Sequence, residues 1–285
     1  MRVRRVATLL ALGYGGAVGV MLVREPAFVF PGAALGAEEA RRLPGPSLPW
    51  DSLRIESDDG VPLFLLVSES DAADPSLPWA LFFHGNGGLV GSGGSVGRYR
   101  LFHEAGFNVL AVEFRGYGVS SGVAQPTEEG LYADARAAWR HLVESRGVDP
   151  ARIVVYGWSL GSGPATYLAA EQSPAALVTE GAPTSLPDVG AESFPWIPVR
   201  LFMRNRFDNA ERAAAVDIPW LVLHGRHDEV IPFHHGEALA SIADGARLIP
   251  LDAAHNEGVL GDRDVALEEL RALARSLVRS AAPAG

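Results

Sequence analysis

The sequence contains neither cysteine nor lysine, and each absence removes a class of chemistry. Without cysteine there is no thiol nucleophile, no disulfide and no cysteine-ligated metal, and the redox compartment stays open. All 24 basic residues are arginine, which excludes a Gly-Lys-Ser/Thr phosphate loop, a Schiff-base lysine and a Ser-Lys dyad. The net charge of -10 argues against a nucleic-acid surface, because such surfaces need clustered basic residues.

The first 24 residues are basic at both ends and apolar between them. Three arginines lie within the first five residues, an uncharged run of 18 residues extends from Val6 to Val23, and Arg24 follows. Eighteen helical residues span roughly 27 Å, against a hydrocarbon core of about 30 Å. We therefore expect a single-pass membrane anchor at 1–24, with the rest of the chain on the non-cytoplasmic side. The alternative is a signal peptide cleaved near 34–37, which would make the protein secreted.

The remaining chain is predicted to form one folded domain. Residues 25–49 are rich in proline, glycine and alanine and are predicted to be a tether, and 281–285 a short tail. The 285 residues are 48% hydrophobic, which is enough for one sizeable core at 50–280. Within that domain, the prolines and aromatic residues of 184–207 predict a small cap.

The pattern of apolar segments predicts an α/β fold. Short apolar runs without alternation are typical of strands buried on both faces of a parallel sheet. The predicted strands are 53–56, 63–68, 79–83, 109–114, 153–156, 176–179, 220–223 and 247–251. The predicted helices are 97–104, 128–145, 160–172, 235–243 and 263–279. This order indicates a strand hairpin followed by a mostly parallel, doubly wound sheet with helices on both faces.

The strongest chemical motif is Gly-Trp-Ser-Leu-Gly at 157–161, which lies between a predicted strand and a predicted helix. Small residues at both ends permit a sharp turn that exposes Ser159 above the sheet edge, beside a helix N-terminus. The alternative is a glycine-rich turn with a solvated serine. The strand, turn and helix occur in the order that a nucleophile elbow requires, so we predict that Ser159 is a nucleophile.

A nucleophilic serine needs a base, and the base needs an acid that fixes its tautomer. Asp228 follows the strand at 220–223, and His255 follows the strand at 247–251. The order Ser, Asp, His is that of an α/β-hydrolase sheet, so His255 is the predicted base and Asp228 the predicted acid. A turn aspartate and an ordinary loop histidine are the alternatives, and Glu229 is the substitute acid.

A tetrahedral intermediate also needs two N–H donors for its oxyanion. Leu160, directly after the serine, supplies one predicted donor, and the loop His-Gly-Asn-Gly-Gly at 84–88 supplies the other. Asn86 is the predicted residue and Gly87 the next choice. A dinucleotide or phosphate cradle fails because the glycines of this loop and of 91–97 are out of register with Gly-x-Gly-x-x-Gly.

Several histidines lie close together in sequence and raise the question of a metal. His224, His227, Asp228, His234 and His235 fall within twelve residues. Their spacing fits no His-Glu-x-x-His helix or other paired zinc pattern, so we predict no metal.

Together these segments resemble the Bem46-like or ABHD13-like branch of the α/β hydrolases. The residues that carry the resemblance are 83–87, 113–118 with Ser120 and Gly122, 157–161, 223–225 with Asp228 and Pro232, 255–256, and the Phe-Pro-Trp-Ile-Pro segment at 194–198. The resemblance covers about 50–279. It implies an N-terminal membrane anchor, the Ser-Asp-His order and no cofactor, and it leaves the substrate undefined.

The sequence therefore predicts a serine hydrolase that cleaves ester-type bonds of apolar or lipid-like acyl substrates through an acyl-enzyme. Trp158, Trp196 and Phe202 are the candidate substrate-binding side chains. A thioesterase or peptidase with the same triad is the enzymatic alternative, and a catalytically silent, membrane-anchored binding protein is the alternative from another class.

Overall fold

The fold is a single eight-stranded sheet with helices on both faces. A computed structural model describes residues 2–35, 38, 48–70, 74 and 76–280. The predicted tail at 281–285 and the tether residues 36–37 and 39–47 lie outside the described residues.

The sheet has the order β1-β2-β4-β3-β5-β6-β7-β8. Its strands are β1 (Asp51–Glu56), β2 (Pro62–Ser68), β3 (Trp79–Phe83), β4 (Asn108–Glu113), β5 (Ile153–Trp158), β6 (Ala176–Glu180), β7 (Trp220–Gly225) and β8 (Ala246–Leu251). The pairs β1/β2 and β2/β4 are antiparallel, and all other neighbours are parallel. All eight predicted strands are present, displaced at their ends by no more than two residues.

Helices connect the strands and cover both faces. They are α1 (Arg2–Val29), α2 (Gly93–Ala105), α3 (Glu128–Arg140), α4 (Ser162–Gln172), α5 (Leu186–Ser193), α6 (Val199–Phe202), α7 (Asn209–Ala213), α8 (His234–Ile242) and α9 (Arg263–Ser280). The predicted helix at 128–145 ends as a π-helical turn at His141–Ser145. The cap, residues 184–207, contains α5 and α6, both initiated at or beside prolines.

Two apolar clusters fill the space between the sheet and its helices. One includes Phe83, Leu131 and Trp220, and the other includes Phe82, Tyr99 and Tyr156. Since the central strands are buried on both faces, their side chains are apolar at consecutive positions rather than at alternate ones. This arrangement fixes the carboxyl ends of the parallel strands along one rigid edge of the sheet.

The N-terminal segment differs from its prediction. Helix α1 continues through the predicted boundary at Arg24 and Glu25 as far as Val29, and a 3₁₀ turn follows at Pro31–Ala34. Among the described residues, no helix combines the length and the apolar character needed to cross a membrane. Residues 25–35 are therefore not a loose tether, because Val29, Phe30 and Gly32 are buried against the domain.

Candidate active site

Ser159 lies at the sharp turn between β5 and α4. Its backbone adopts φ +52°, which is uncommon for a residue other than glycine and marks a strained turn. A Cβ at Gly157 would collide with the backbone of Gly161, and a Cβ at Gly161 would collide with the backbone of Phe83. Both glycines of the motif are thus required by close backbone packing, as the elbow interpretation predicts.

Three predicted side chains meet at the carboxyl edge of the sheet. The Ser159 hydroxyl donates to His255 Nε2 over 3.0 Å, and His255 Nδ1–H donates to Asp228 Oδ2 over 2.6 Å. The second oxygen of Asp228 accepts from the backbone amides of Val230 and Ile231, at 2.9 and 2.7 Å. Each of the three residues is 7% exposed. Asp228 is thus fixed through one oxygen and meets the imidazole with the other, while Glu229 is exposed.

The oxyanion loop, residues 84–88, follows β3 and faces the elbow. The carbonyl of Asn86 accepts from the Tyr117 hydroxyl and from the backbone amide of Gly32, each at 3.0 Å. Fixing this carbonyl fixes the peptide plane between Asn86 and Gly87. Leu160 lies in the first helical turn after the elbow, where backbone N–H groups have no intrahelical acceptor. A Cβ added at Gly85 would lie 3.6 Å from the Ser159 side chain, so the loop and the elbow are in close proximity.

A buried pair supports the oxyanion loop from beneath. His84 Nδ1–H donates to the carbonyl of Gly85 over 2.8 Å, and Nε2 lies 3.1 Å from Glu113 Oε1. Both side chains are fully buried. In the sequence, His84 belongs to the loop motif, whereas its pairing with Glu113 depends on the fold.

A second buried network, which sequence reasoning missed, lies under Trp158. Arg98 Nε donates to Glu180 Oε2 over 2.9 Å, and the Arg98 guanidinium lies 3.7 Å from the centre of the Trp158 ring. Glu180 also accepts from Tyr156 and from the backbone amide of Val259. The charge on Glu180 raises the pKa of Arg98, although burial acts in the opposite direction as the largest single cause. The network ties the ends of β5 and β6 to the segment that follows His255.

A largely apolar cavity of about 550 Å³ opens at Ser159 and His255. This volume is within the range of small-molecule sites, about 300–1,000 Å³. Trp158 and Phe202 line it, as predicted, but Trp196 does not. Trp196 is 66% exposed because the turn between α5 and α6 directs its ring outward, where it packs edge-on against Phe194. Side chains of α1 form another part of the lining, which the sequence did not indicate.

One cluster in the described part of the chain has the composition of a metal site. Its members are Glu192, His234 and His235. The Thr184 amide donates to His235 Nδ1 over 3.1 Å, so a neutral His235 carries its proton on Nε2, which faces Glu192 at 3.5 Å. In this tautomer His235 on α8 accepts from the cap through Nδ1 and directs its Nε2–H at Glu192. The protonated Nε2 is then unavailable as a metal ligand. Burial, the largest cause, lowers the pKa of His235.

Known proteins similar to this chain share its fold class. Residues 78–216 match the family model described as alpha/beta hydrolase fold. The chain is 41% identical over 171 residues to the Mycobacterium tuberculosis protein named "Uncharacterized protein Rv2307c", covering 59% of this chain and 60% of that protein. It is 35% identical over 164 residues to human alpha/beta hydrolase domain-containing protein 17B, covering 56% and 53%. The chain thus spans about 60% or less of the length of these curated relatives.

Solved structures show the same fold. The esterase Pf2001 of Pyrococcus furiosus superimposes with a TM-score of 0.68 at 18% identity, over 81% of this chain and 94% of that one. Est1E of Butyrivibrio proteoclasticus gives 0.65 at 16% identity, over 80% and 99%. The protein therefore has the α/β-hydrolase fold. Its relatives include ABHD-type members, so the wider resemblance is confirmed, whereas the Bem46-like or ABHD13-like branch itself stays a prediction.

Proposed function

We propose that the protein is a serine hydrolase that cleaves ester-type bonds of apolar acyl substrates. The observation that carries the proposal is the continuous hydrogen-bonded chain from Ser159 through His255 to Asp228, at the mouth of an apolar cavity. Such a chain is the arrangement that turns a serine hydroxyl into a nucleophile at neutral pH.

In the proposed reaction, Ser159 Oγ attacks the substrate carbonyl while His255 Nε2 takes its proton. Asp228 holds the imidazole in the tautomer whose Nε2 is free to accept, and stabilises the imidazolium that forms. The tetrahedral oxyanion is bound by the amides of Asn86 and Leu160. Collapse of the intermediate expels the alcohol, which receives the proton from His255. Water then attacks the acyl-enzyme while His255 takes a proton from it, and His255 returns that proton to Ser159 Oγ as the acid product leaves.

The cavity supports an apolar acyl group as the substrate class. Phe202, Leu186 and Val189 from the cap line it together with Trp158. Each buried methylene contributes about 0.8 kcal/mol, so kcat/KM is expected to rise with acyl length until the cavity is full.

A fluorophosphonate probe tests the proposal directly. Wild-type protein should be labelled and should hydrolyse aryl esters, and Ser159→Ala should do neither while keeping its thermal unfolding profile. A rate series over acyl lengths, with a thioester and a peptide amide alongside, separates esterase from thioesterase and peptidase. Folded wild-type protein that resists the probe and hydrolyses none of these substrates would instead favour the silent binding protein.

Phe202 is proposed to contact the acyl chain. Phe202→Ala should flatten the chain-length profile, whereas Trp196→Ala, on the exposed turn, is the matched control and should leave it unchanged. If Phe202→Ala lowers only the melting temperature and keeps the profile, Phe202 has a packing role alone.

Membrane attachment through residues 1–24 is also a proposal, with the hydrolase domain on the non-cytoplasmic side or, after cleavage, secreted. What supports it is the arginine-rich start of the sequence and the exposure of Leu9, Leu12 and Val20. Fractionation with protease protection tests the first form. N-terminal sequencing of the recovered protein tests the second, since a mature form beginning near Glu38 would establish cleavage.

A further inference from the structure

One face of α1 is turned toward the candidate active site. The less exposed side chains in its second half lie three or four residues apart: Val18, Met21, Leu22, Glu25 and Val29. All five line the cavity that contains Ser159. Intervals of three and four residues place side chains on one helix face, and Val23 on the opposite side is 81% exposed. The helix thus packs through one defined face.

Three contacts hold this segment in place at separate points of the domain. The Glu25 carboxylate accepts from the backbone amides of Arg204 and Asn205 at the end of the cap, at 2.9 and 2.8 Å. Phe30 packs edge-on against Phe207, with ring centroids 6.2 Å apart. At Gly32 the backbone amide donates to the Asn86 carbonyl of the oxyanion loop.

The absence of a side chain at Gly32 is part of the third contact. A Cβ there would lie 2.7 Å from the Asn86 carbonyl oxygen and would collide with the Tyr117 ring. The N-terminal segment therefore touches the cap and the oxyanion loop at the same time, and these are the two regions that frame the serine in the proposed reaction.

From this geometry we infer that α1 is a wall of the substrate pocket, and that Val18, Met21 and Leu22 set the length of acyl chain it accepts. The inference rests on the proposed function for the nature of the ligand, and it applies to the uncleaved chain in which the second half of α1 packs on the domain rather than within a bilayer. It assigns to the N-terminal helix a specificity role, and to Glu25 and Gly32 the role of positioning residues that keep the wall against the cap and the oxyanion loop.

A bulky substitution on the inner face tests the specificity role. Leu22→Trp should shorten the preferred acyl chain, with a loss of about four-fold in kcat/KM for each methylene that no longer fits. An acetyl ester, which needs only the elbow and the oxyanion loop, should lose less kcat/KM than the long-chain esters, so the profile shifts toward short chains. Val23→Trp, one residue away on the exposed face, is the matched control. If Leu22→Trp and Val23→Trp give the wild-type length profile, α1 is not a specificity wall.

The absence of native cysteine allows a second readout that does not depend on turnover. In single variants of the full chain, Leu22→Cys should react with maleimide several-fold more slowly than Val23→Cys. Labelling of Ser159 with a long-chain alkyl fluorophosphonate should slow Leu22→Cys further, and a short-chain fluorophosphonate should not. Equal rates at both positions, or labelled Ser159 without extra protection of Leu22→Cys, would overturn the inference. Failure of Ser159 to label at all would instead refute the proposed function, while the rates in unlabelled protein would still test where α1 packs.

Discussion

Replacing Glu25 by alanine and by glutamine should distinguish what its negative charge contributes to stability from what its hydrogen-bonding oxygen contributes. Its Oε1 accepts three hydrogen bonds, from the backbone amides of Arg204 and Asn205 and from the Asn205 side chain at 3.1 Å. Hydrogen bonds to charged groups contribute about 1.5–3 kcal/mol each, and neutral ones about 1 kcal/mol. Since Arg204 is exposed and its amide can bind water instead, we expect Glu25→Ala to lower the free energy of unfolding by about 3 kcal/mol. Glu25→Gln keeps an oxygen at the same place and should cost about 1 kcal/mol.

Thermal unfolding measures both effects. A domain of this size loses about 2–4 °C of Tm per kcal/mol, so Glu25→Ala should melt about 6–12 °C below wild type and Glu25→Gln about 2–4 °C below. Glu268→Ala, on the exposed face of α9, is the control for loss of a glutamate and should melt with wild type. A Glu25→Ala protein as stable as Glu268→Ala would show that the contact with the cap contributes nothing. Equal losses for alanine and glutamine would show that the loss does not come from removing the acceptor oxygen.

Three further predictions concern the acid, the oxyanion loop and pH. For the proposed esterase, Asp228→Asn should lower kcat roughly 10³–10⁴-fold and Glu229→Gln should leave it near wild type; the reverse pattern in steady-state kinetics would reassign the acid. Gly32→Ala should displace the oxyanion loop and lower kcat by up to about 10²–10³-fold with little change in KM, and an unchanged kcat would contradict that role. Burial is the largest cause that lowers the pKa of four histidines: His103, His141, His224 and His235. Below about pH 6.5 the unfolded chain therefore binds more protons than the folded chain does. The free energy of unfolding is at its full value above that pH and falls below it, by up to about 1.4 kcal/mol per pH unit for each histidine. A Tm that is the same at pH 5.5 and pH 7.5 would refute this.

The parts of the fold that could be predicted from sequence are those that local patterns determine. Strands β2 to β7 are largely apolar runs that are buried along most of their length, and that burial is visible in their own residues. Parallel strands bring their carboxyl ends to one edge, so the loops that carry Ser159, Asp228 and His255 were expected to meet there, and these side chains do form one hydrogen-bonded chain. Their catalytic role stays a prediction until it is measured.

Other features depend on contacts between distant segments, which no local pattern encodes. An apolar helix with a basic start has the same sequence pattern whether it faces lipid or protein, so the packing of α1 and residues 25–35 was not foreseen. The pairing of Arg98 with Glu180 joins positions 82 residues apart, and neither residue belongs to a recognisable motif. Trp196 was selected for its chemical type, but the direction of its ring depends on the turn between two short helices that the sequence does not specify.

The contact between Glu25 and Asn205 can form only after the ribosome has made the cap, long after it has made α1. The two residues are 180 positions apart, and ribosomes extend chains at roughly 5–20 residues per second, so α1 exists for about 10–35 s before its partner in the cap has been made. For that interval the stripe of Val18, Met21 and Leu22 has no folded surface to cover it. The cavity is therefore completed only after His255, another of its lining residues, has been made.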